Sequence, residues 1–228
     1  MDKKCIIVAA GDLTVGEITK NEGDLVIAVD GGLDYCSFLQ LEPDLILGDF
    51  DSVSENSAAI INKLAAQIPE RIFRLPREKD DTDTLAALKE GLRRGYRDFR
   101  IYGGTGGRLE HTLANVQCLL YLKKQGACGY LMDGHGMILV LENETVHFRK
   151  GLEGYFSLFA LSKEAKGVTI EGMKYPLDKA VLNNDFPLGI SNEFTGQESF
   201  VAVEQGQLVC IIRWFDSLDT LPSEQRSQ

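Results

Sequence analysis

The stretch LILGDFDS, Leu45 to Ser52, is an apolar run that ends at a glycine and continues with two aspartates one residue apart. An unbroken apolar run of this length is typical of a strand that is buried on both faces of a parallel sheet. Side chains two residues apart on an extended backbone point the same way, so Asp49 and Asp51 would direct two negative charges at one place. Like charges that close raise each other's pKa unless a cation lies between them. The stretch therefore predicts a parallel sheet with a cation site at its edge.

The first part of the chain alternates short apolar runs with stretches of helical periodicity. The predicted strands are Cys5–Ala10, Leu25–Val29, Leu45–Leu47, Ile72–Leu75, Phe99–Tyr102 and Gly129–Met132. The predicted helices are Leu33–Leu39, Ser54–Ala66, Asp83–Arg94 and Leu109–Gln125. Ser52 and Glu55 have the spacing of a capping box, and Gly95 stands where the third helix would end. This alternation predicts an α/β domain with a doubly wound, mainly parallel, Rossmann-like sheet.

The pattern changes after about residue 134. Six short, partly alternating segments are separated by turn residues, with no long helix between them. These segments are Met137–Leu141, Thr145–Phe148, Tyr155–Leu161, Gly167–Ile170, Ser199–Val203 and Leu208–Ile212. We therefore expect two domains, an α/β domain over residues 1–134 and an all-β domain of sandwich or barrel type over residues 135–228.

Composition excludes several classes of protein. The chain has 24 Lys and Arg against 34 Asp and Glu, an acidic balance that argues against nucleic acid as the main partner. The apolar run within the first ten residues is too short for the core of a signal peptide, and no later apolar stretch is long enough to span a membrane. Five scattered cysteines with no C-x-x-C spacing are typical of reduced thiols. We expect a cytoplasmic globular protein without a membrane partner.

Acidic residues follow several predicted strands. Asp30 ends LVIAVDGG, Asp49 and Asp51 end LILGDFDS, and the cluster REKDDTDT supplies Asp80 and Asp83 together with Lys79. In an open parallel sheet ligands bind at the carboxyl ends of the strands. Asp80 and Asp83 are three residues apart at a predicted helix start and could face one side. Several carboxylates without nearby His or Cys suit Mg²⁺, although each Asp alone could be a turn former or a helix cap.

A glycine-rich loop lies between the fifth strand and the fourth helix, in IYGGTGGRLEH. Gly103, Gly104 and the glycines up to residue 107 would let backbone N–H groups converge on an anion, and the following helix start favours negative charge. With Arg108, Lys79 and His111 nearby, the loop predicts a cradle for polyphosphate. The chain has no G-x-x-x-x-G-K-[ST] sequence, so a P-loop is excluded.

The motifs AVDGG, GDFDS, KDDTD, GGTGGRLEHTLAN and GISNEF occur in the order and approximate spacing of thiamine pyrophosphokinases, and the chain resembles that family over nearly its whole length. The resemblance implies an α/β nucleotide-binding domain, a β-sandwich, a homodimer with a thiamine pocket shared between subunits, and transfer of pyrophosphate from ATP to thiamine. One position departs from the family, because Glu110 replaces the usual Asp before the histidine.

The resemblance also suggests a role for each candidate residue. The assigned roles are Mg²⁺ binding for Asp49, Asp51 and Asp83, metal or hydroxyl positioning for Asp30 and Asp80, phosphate binding for Lys79 and Arg108 with His111 and Asn115 beside them, and thiamine binding for Ser191, Asn192 and Phe194. Ser191 and Asn192 would supply hydrogen bonds, and Phe194 an apolar or π face. An ordinary turn at Asn192 and a core position for Phe194 are the alternatives.

Two other functions are compatible with parts of the sequence. LILGDFDSV satisfies the D-x-D signature of haloacid-dehalogenase-like phosphatases, in which the first Asp is phosphorylated. Gly48 interrupts the usual apolar strand and no late Gly-Asp motif follows, so the structural context is missing. A non-catalytic thiamine or nucleotide sensor on the same fold is the second alternative, but a sensor would have little reason to keep the full set of carboxylates.

Overall fold

The computed structural model describes residues 3–51 and 53–215. The chain divides into two compact units, Met1–Asp133 and Gly134–Gln228. Each unit has its own buried apolar core.

The first unit is built on a six-stranded parallel sheet. Its strands are β1 Lys4–Val8, β2 Leu25–Val29, β3 Leu45–Gly48, β4 Ile72–Arg74, β5 Asp98–Tyr102 and β6 Cys128–Asp133. They lie in the order β6-β5-β1-β2-β3-β4, and every neighbouring pair is parallel. All residues of β2 and β3 are buried, as expected for strands covered on both faces.

Four helices connect these strands. They are α1 Gly32–Phe38, α2 Glu55–Gln67, α3 Asp83–Arg93 and α4 Leu109–Lys124, and a short 3-10 turn at Pro69–Arg71 precedes β4. The α2 cap differs from the predicted capping box: Ser54, not Ser52, is the N-cap, and its hydroxyl accepts a hydrogen bond from Ser57 N–H at 3.1 Å. Ser52 itself lies outside the described residues. Gly95, with φ 91°, follows the end of α3 as predicted.

The strand order reverses between β1 and β5. From β1 the chain proceeds through β2 and β3 to β4 on one side, whereas β5 and β6 lie on the other side. The loops after β1 and β5 therefore diverge at a topological switch point, where open parallel sheets bind ligands. The glycine-rich loop follows β5, so the fold puts this loop at that crevice.

The second unit contains two antiparallel sheets. Its strands are β7 Gly136–Glu142, β8 Thr145–Phe148, β9 Glu153–Ala160, β10 Glu164–Glu171, β11 Leu177–Asn183, β12 Asn192–Thr195, β13 Ser199–Ala202 and β14 Gln207–Trp214. One sheet has the order β12-β9-β14-β7 and the other β11-β10-β13-β8. Phe148 of one sheet makes edge contacts with Phe156 and Phe194 of the other, with ring centroids 5.8 and 5.2 Å apart. These contacts form the centre of a β-sandwich.

The predicted fold class, an α/β unit followed by a β-sandwich, is confirmed. Two strands, β11 and β12, were absent from the sequence prediction. Only Leu182 of β11 is buried, so its residues carry little of the alternation that marks a half-buried strand. Among the residues that the structure describes, no helix combines the length and apolar content that a membrane crossing requires.

Candidate active site

Three carboxylates meet at the carboxyl edge of the parallel sheet. Asp30 follows β2, Asp49 follows β3, and Asp83 is the first residue of α3. Asp30 adopts φ 46°, a left-handed conformation that Asp tolerates better than most residues and that is enriched at functional sites. The structure thus brings together three of the predicted site residues, and we refer to them as the carboxylate cluster.

The carboxylate cluster carries more negative charge than its surroundings neutralise. Burial, the charges of Asp83 and Asp49 and a hydrogen bond with the Asp83 carboxyl raise the pKa of Asp30 to about 7, against a smaller opposing effect of the Phe50 backbone. Oδ1 of Asp30 is buried and has no hydrogen-bond partner among the described residues. It lies against Gly48, where any Cβ would overlap it.

Lys79 provides the cation that this cluster has in the present structure. Its Nζ lies 2.8 Å from Asp83 Oδ1, and both side chains are largely buried, with 15% and 26% of their surface exposed. Burial opposes the charge of the ammonium group, but the hydrogen bond and charge of Asp83, together with the charges of Asp49 and Asp30, raise the pKa of Lys79. Nζ also donates a hydrogen bond to the Pro76 carbonyl at 3.2 Å. Lys79 therefore pairs with Asp83, and within the described residues it makes no hydrogen bond or ion pair with the glycine-rich loop.

The Asp51 carboxylate pairs with Arg77, and the backbone between Asp49 and Asp51 does not have the extended geometry expected from the sequence. Phe50 adopts φ 62°, so the backbone turns between the two aspartates. Asp51 N–H donates a hydrogen bond to Asp49 Oδ1 at 3.0 Å, and the Asp51 carboxylate lies 3.4 Å from the Arg77 guanidinium. The left-handed residue breaks the two-residue periodicity on which the expectation rested.

Asp80 also departs from its predicted placement. Thr82 is the N-cap of α3 and its hydroxyl accepts a hydrogen bond from Leu85 N–H at 3.2 Å, so the helix begins at Asp83. Asp80 precedes the helix and is exposed, and the argument from a shared helical face does not apply to it. The neighbouring Asp81 pairs with Lys89 at 2.6 Å.

The residues of the carboxylate cluster fit a hard divalent cation, although they are not arranged as a finished metal site. Within residues 3–51 and 53–215, no group of three or more His, Cys, Asp or Glu side chains has a metal-binding arrangement. The raised pKa of Asp30 and its buried Oδ1, which has no hydrogen-bond partner among the described residues, nevertheless indicate negative charge that Lys79 does not fully neutralise. Oxygen donors of this kind favour Mg²⁺ over softer metals.

The glycine-rich loop packs against the loop after β1. Gly11 N–H donates to the Gly103 carbonyl and Asp12 N–H to the Thr105 carbonyl, both at 2.8 Å. A Cβ at Gly11 would overlap these two carbonyls, so the close approach requires glycine there. In contrast, the N–H groups of residues 104–107 make no hydrogen bond with any described residue. These unused donors are available to an anion.

Arg108 and His111 stand at the start of α4. Arg108 is the exposed N-cap residue, and its guanidinium forms an ion pair with Glu110 at 2.7 Å. The Glu110 backbone N–H and the Arg108 guanidinium lower the pKa of Glu110, which keeps this carboxylate charged. His111 is exposed one residue further along. Both side chains are accessible, and the Arg108 guanidinium has to leave Glu110 before it can bind an anion through both of its edges.

Asn115 has a supporting role in this structure. It is 6% exposed, and its Nδ2 donates a hydrogen bond to the Gly104 carbonyl at 2.7 Å. The side chain thereby fixes the glycine-rich loop relative to α4. Asn115 acts here on the shape of the loop, one helical turn below the exposed His111.

In the second unit the predicted substrate motif supports a neighbouring aromatic residue. Asn192 is 4% exposed; its Nδ2 donates to the Tyr175 carbonyl at 2.8 Å, and its Oδ1 accepts from Tyr175 N–H at 2.9 Å. Its carboxamide is therefore occupied by backbone and is not available to a ligand in this conformation. The Tyr175 ring is 56% exposed, with Lys174 Nζ 5.5 Å from its centroid.

Ser191 and Phe194 have different surroundings. Ser191 is exposed with φ 59°, and its N–H donates to Ser157 Oγ at 3.1 Å, so its hydroxyl remains accessible. Phe194 is 6% exposed and its ring contacts Phe148 and Phe156. The structure therefore favours the core position for Phe194 over the predicted substrate face.

Sequence reasoning missed Tyr175 and Arg77. Tyr175 precedes a proline in a segment with the residues of a turn, and only its pairing with Asn192 brings it to the predicted substrate motif. Arg77 belongs to the REKDDTDT cluster, in which Lys79 is the basic residue with a predicted role. Its contact with Asp51 depends on the turn at Phe50, which no local pattern indicates.

Two family models match the chain. The model described as "Thiamin pyrophosphokinase, catalytic domain" matches residues 17–130, and the model described as "Thiamin pyrophosphokinase, vitamin B1 binding domain" matches residues 143–208. The chain is also 30% identical over 192 residues to the Thiamine pyrophosphokinase of Bacillus subtilis (strain 168), covering 84% of this chain and 88% of that protein.

Solved structures give the same picture. A crystal structure of Thiamine pyrophosphokinase from Bacillus subtilis superposes with a TM-score of 0.83 at 29% identity, over 92% of this chain and 99% of the other. A crystal structure of Thiamin pyrophosphokinase from Geobacillus thermodenitrificans superposes with a TM-score of 0.78 at 26% identity, over 96% and 100% of the two chains.

Proposed function

The chain belongs to the thiamin pyrophosphokinase family, and from this premise we propose that it transfers the pyrophosphoryl group of ATP to the hydroxyl of thiamine, giving thiamine diphosphate and AMP. The observation that carries the proposal is that the first unit has both a candidate metal site and a candidate phosphate site. A carboxylate cluster with unneutralised charge and a loop with unused N–H donors follow strands of the same sheet, at its carboxyl edge.

The reaction needs positioning and charge stabilisation more than covalent chemistry by the protein. Mg²⁺, when bound, would neutralise the phosphate oxygens. Asp30, Asp49 and Asp83 are the residues that would hold it. Asp51 and Asp80 would join them if their loops moved toward the carboxylate cluster. The N–H groups of residues 104–107 would donate hydrogen bonds to phosphate oxygens, and Asn115 would hold the loop in place through the Gly104 carbonyl. Arg108, released from Glu110, would bind phosphate at both edges of its guanidinium.

The second unit would supply the thiamine contacts. The accessible hydroxyl of Ser191 can hydrogen-bond to the aminopyrimidine, and the exposed ring of Tyr175 offers a π face to the cationic thiazolium. Asn192 would act by holding Tyr175, and Phe194 by filling the core beneath the motif.

We also propose that the protein acts as a homodimer in the cytoplasm, with each active site shared between the first unit of one subunit and the second unit of its partner. Several exposed apolar side chains of the second unit support an interface between subunits, because a second copy of the chain could remove them from water. They include Tyr155, Phe186, Leu188 and Ile190.

Product analysis tests the proposal. The protein is incubated with ATP, Mg²⁺ and thiamine, and the nucleotide product is separated by chromatography. AMP in equal amount to thiamine diphosphate is the expected result, whereas ADP would indicate transfer of a single phosphoryl group. Binding of both substrates without turnover would indicate a sensor, and a phospho-aspartate at Asp49 after incubation with a phosphate ester would indicate a D-x-D phosphatase.

A further inference from the structure

Lys79 occupies an unusual position for a residue expected to bind phosphate. Its ammonium group lies 2.8 Å from Asp83 Oδ1, and only 15% of its side chain is exposed. The side chain is anchored at a second point by the Pro76 carbonyl, 3.2 Å from Nζ. A flexible lysine that is held in this way at the sheet edge loses rotamer freedom, so a specific charge interaction must favour the arrangement.

The surrounding groups identify that interaction. Asp83, Asp49 and Asp30 all act on Lys79 electrostatically, and the same residues act on one another. The positive charge of Lys79 thus stands among the carboxylates that would hold a divalent cation. Neutralisation is incomplete, because Oδ1 of Asp30 has no hydrogen-bond partner among the described residues.

We propose that Lys79 is the built-in counter-ion of the carboxylate cluster in the metal-free protein, and that Mg²⁺ binds by displacing its ammonium group from Asp83. The inference rests on the metal site of the proposed function and adds a competition between the metal and a residue of the chain. Two cations cannot share one set of carboxylates without mutual repulsion. Displacement also frees the Lys79 ammonium to meet the phosphates that arrive with the metal.

The competition has a measurable consequence. Replacing Lys79 by a neutral side chain of similar length removes the competitor and leaves the carboxylates in place. Mg²⁺ affinity should therefore increase, although activity is expected to fall because a phosphate ligand is lost. This opposite movement of metal affinity and activity distinguishes a displaced counter-ion from a simple structural ion pair.

The test is calorimetric titration of Mg²⁺ into the nucleotide-free protein at about pH 8, where the carboxylates are ionised. The Lys79→Met variant should bind Mg²⁺ about tenfold more tightly than the wild type. Mg²⁺ should also raise the melting temperature of this variant by more than it raises that of the wild type. Lys79→Arg, which keeps the charge, should bind Mg²⁺ about as weakly as the wild type. Lys89→Met is the matched control, because Lys89 pairs with Asp81 at 2.6 Å outside the carboxylate cluster and its loss should leave Mg²⁺ affinity unchanged.

Unchanged or weaker Mg²⁺ binding by Lys79→Met would overturn the proposal, as would a wild-type protein that binds no Mg²⁺ without nucleotide. An equal increase in the Lys89→Met variant would also overturn it, since the effect would then reflect net charge alone. Product analysis of the same wild-type preparation tests the proposed function separately from the displacement of Lys79 by Mg²⁺. Formation of AMP and thiamine diphosphate would uphold the proposed function even where the displacement of Lys79 fails.

Discussion

The carboxamide of Asn192 binds both backbone polar groups of Tyr175, donating to its carbonyl at 2.8 Å and accepting from its N–H at 2.9 Å. The side chain that resembles a substrate ligand in sequence is thus satisfied within the protein, and its effect on a ligand passes through Tyr175. Thr195 strengthens the arrangement, because its hydroxyl donates to the Gly172 carbonyl at 3.0 Å. Glu193 pairs with Lys174 at 2.8 Å, so three side chains of β12 hold the segment that carries Tyr175.

Tyr175→Ala should raise KM for thiamine by about 5- to 30-fold, because it removes an aromatic face worth about 1–2 kcal/mol to a desolvated cation. KM for ATP should change little, and Tyr175→Trp should restore thiamine binding. Steady-state kinetics with each substrate varied in turn makes the measurement. Phe38→Ala, which removes an exposed ring that has no place in the proposed site or interface, serves as the control and should have a smaller effect on KM for thiamine. Equal effects of the two alanine variants would contradict a specific role for Tyr175.

Asp30→Asn should stabilise the metal-free protein at high pH but not at low pH. The pKa of Asp30 is raised to about 7 from 3.8, mainly by burial and by Asp83, so the folded state holds this proton more tightly than the unfolded chain. By linkage, stability falls as pH rises between these two values, and the full penalty is present above about pH 7. The amide cannot ionise and avoids this penalty.

The expected gain is modest because solvent screens a carboxyl that is only partly buried. At about pH 8 we expect Asp30→Asn to increase the free energy of unfolding by about 1 kcal/mol, which corresponds to roughly 2–4 °C in Tm. Thermal melts in EDTA at about pH 4 and pH 8 make the comparison, and the difference between variant and wild type should shrink toward the lower pH. At high pH, saturating Mg²⁺ should make the wild type the more stable protein, because only the wild type keeps the Asp30 carboxylate that would bind the metal. A Tm difference that is independent of pH would contradict the raised pKa.

Gly48→Ala should displace Asp30 and impair catalysis. A Cβ at position 48 would overlap Asp30 Oδ1, so either the carboxyl or the strand end has to move. We expect a loss of about tenfold or more in kcat, since misplacement of a ligand group by about 1 Å is costly. Gly16→Ala is the matched control, because nothing lies within 4 Å of a Cβ at that position. Wild-type kcat in a folded Gly48→Ala protein would contradict the importance of this contact.

The strands and helices of the first unit could be predicted because burial on both faces leaves a strong local signal, as in the wholly apolar β2. The placement of Asp51 could not, because the left-handed turn at Phe50 is a non-glycine exception that no propensity indicates. The role of Asn192 was equally hidden. Its partner Tyr175 is 17 residues away in sequence, next to the isolated antiparallel bridge between Met173 and Phe194.

Asp51→Asn should lower kcat by about a hundredfold or more, even though the carboxylate contacts Arg77 in the present structure. The amide cannot replace the negative charge on which the metal would depend, and the exposed position makes a folding defect unexpected. Arg77→Ala should leave kcat near normal, since it frees the carboxylate without removing it. The measurement is turnover at saturating Mg²⁺, with Tm as the control for folding. Near-normal kcat of Asp51→Asn would exclude Asp51 from the metal site.

Mixed dimers test whether two subunits build each active site. Asp51→Asn damages the first unit and Tyr175→Ala the second, and Tyr175 is better suited to this experiment than Phe194, whose loss would open the aromatic core. In a heterodimer of the two variants, one composite site carries both changes and the other carries neither. The assay uses thiamine below the wild-type KM, where both parent variants are slow. Activity should there recover to as much as about half the wild-type value per mixed dimer, as the symmetry of a two-fold assembly requires. Differently tagged subunits, co-refolded and purified through both tags, provide the sample. Activity no higher than the mean of the two parent variants would mean that each chain builds its own site.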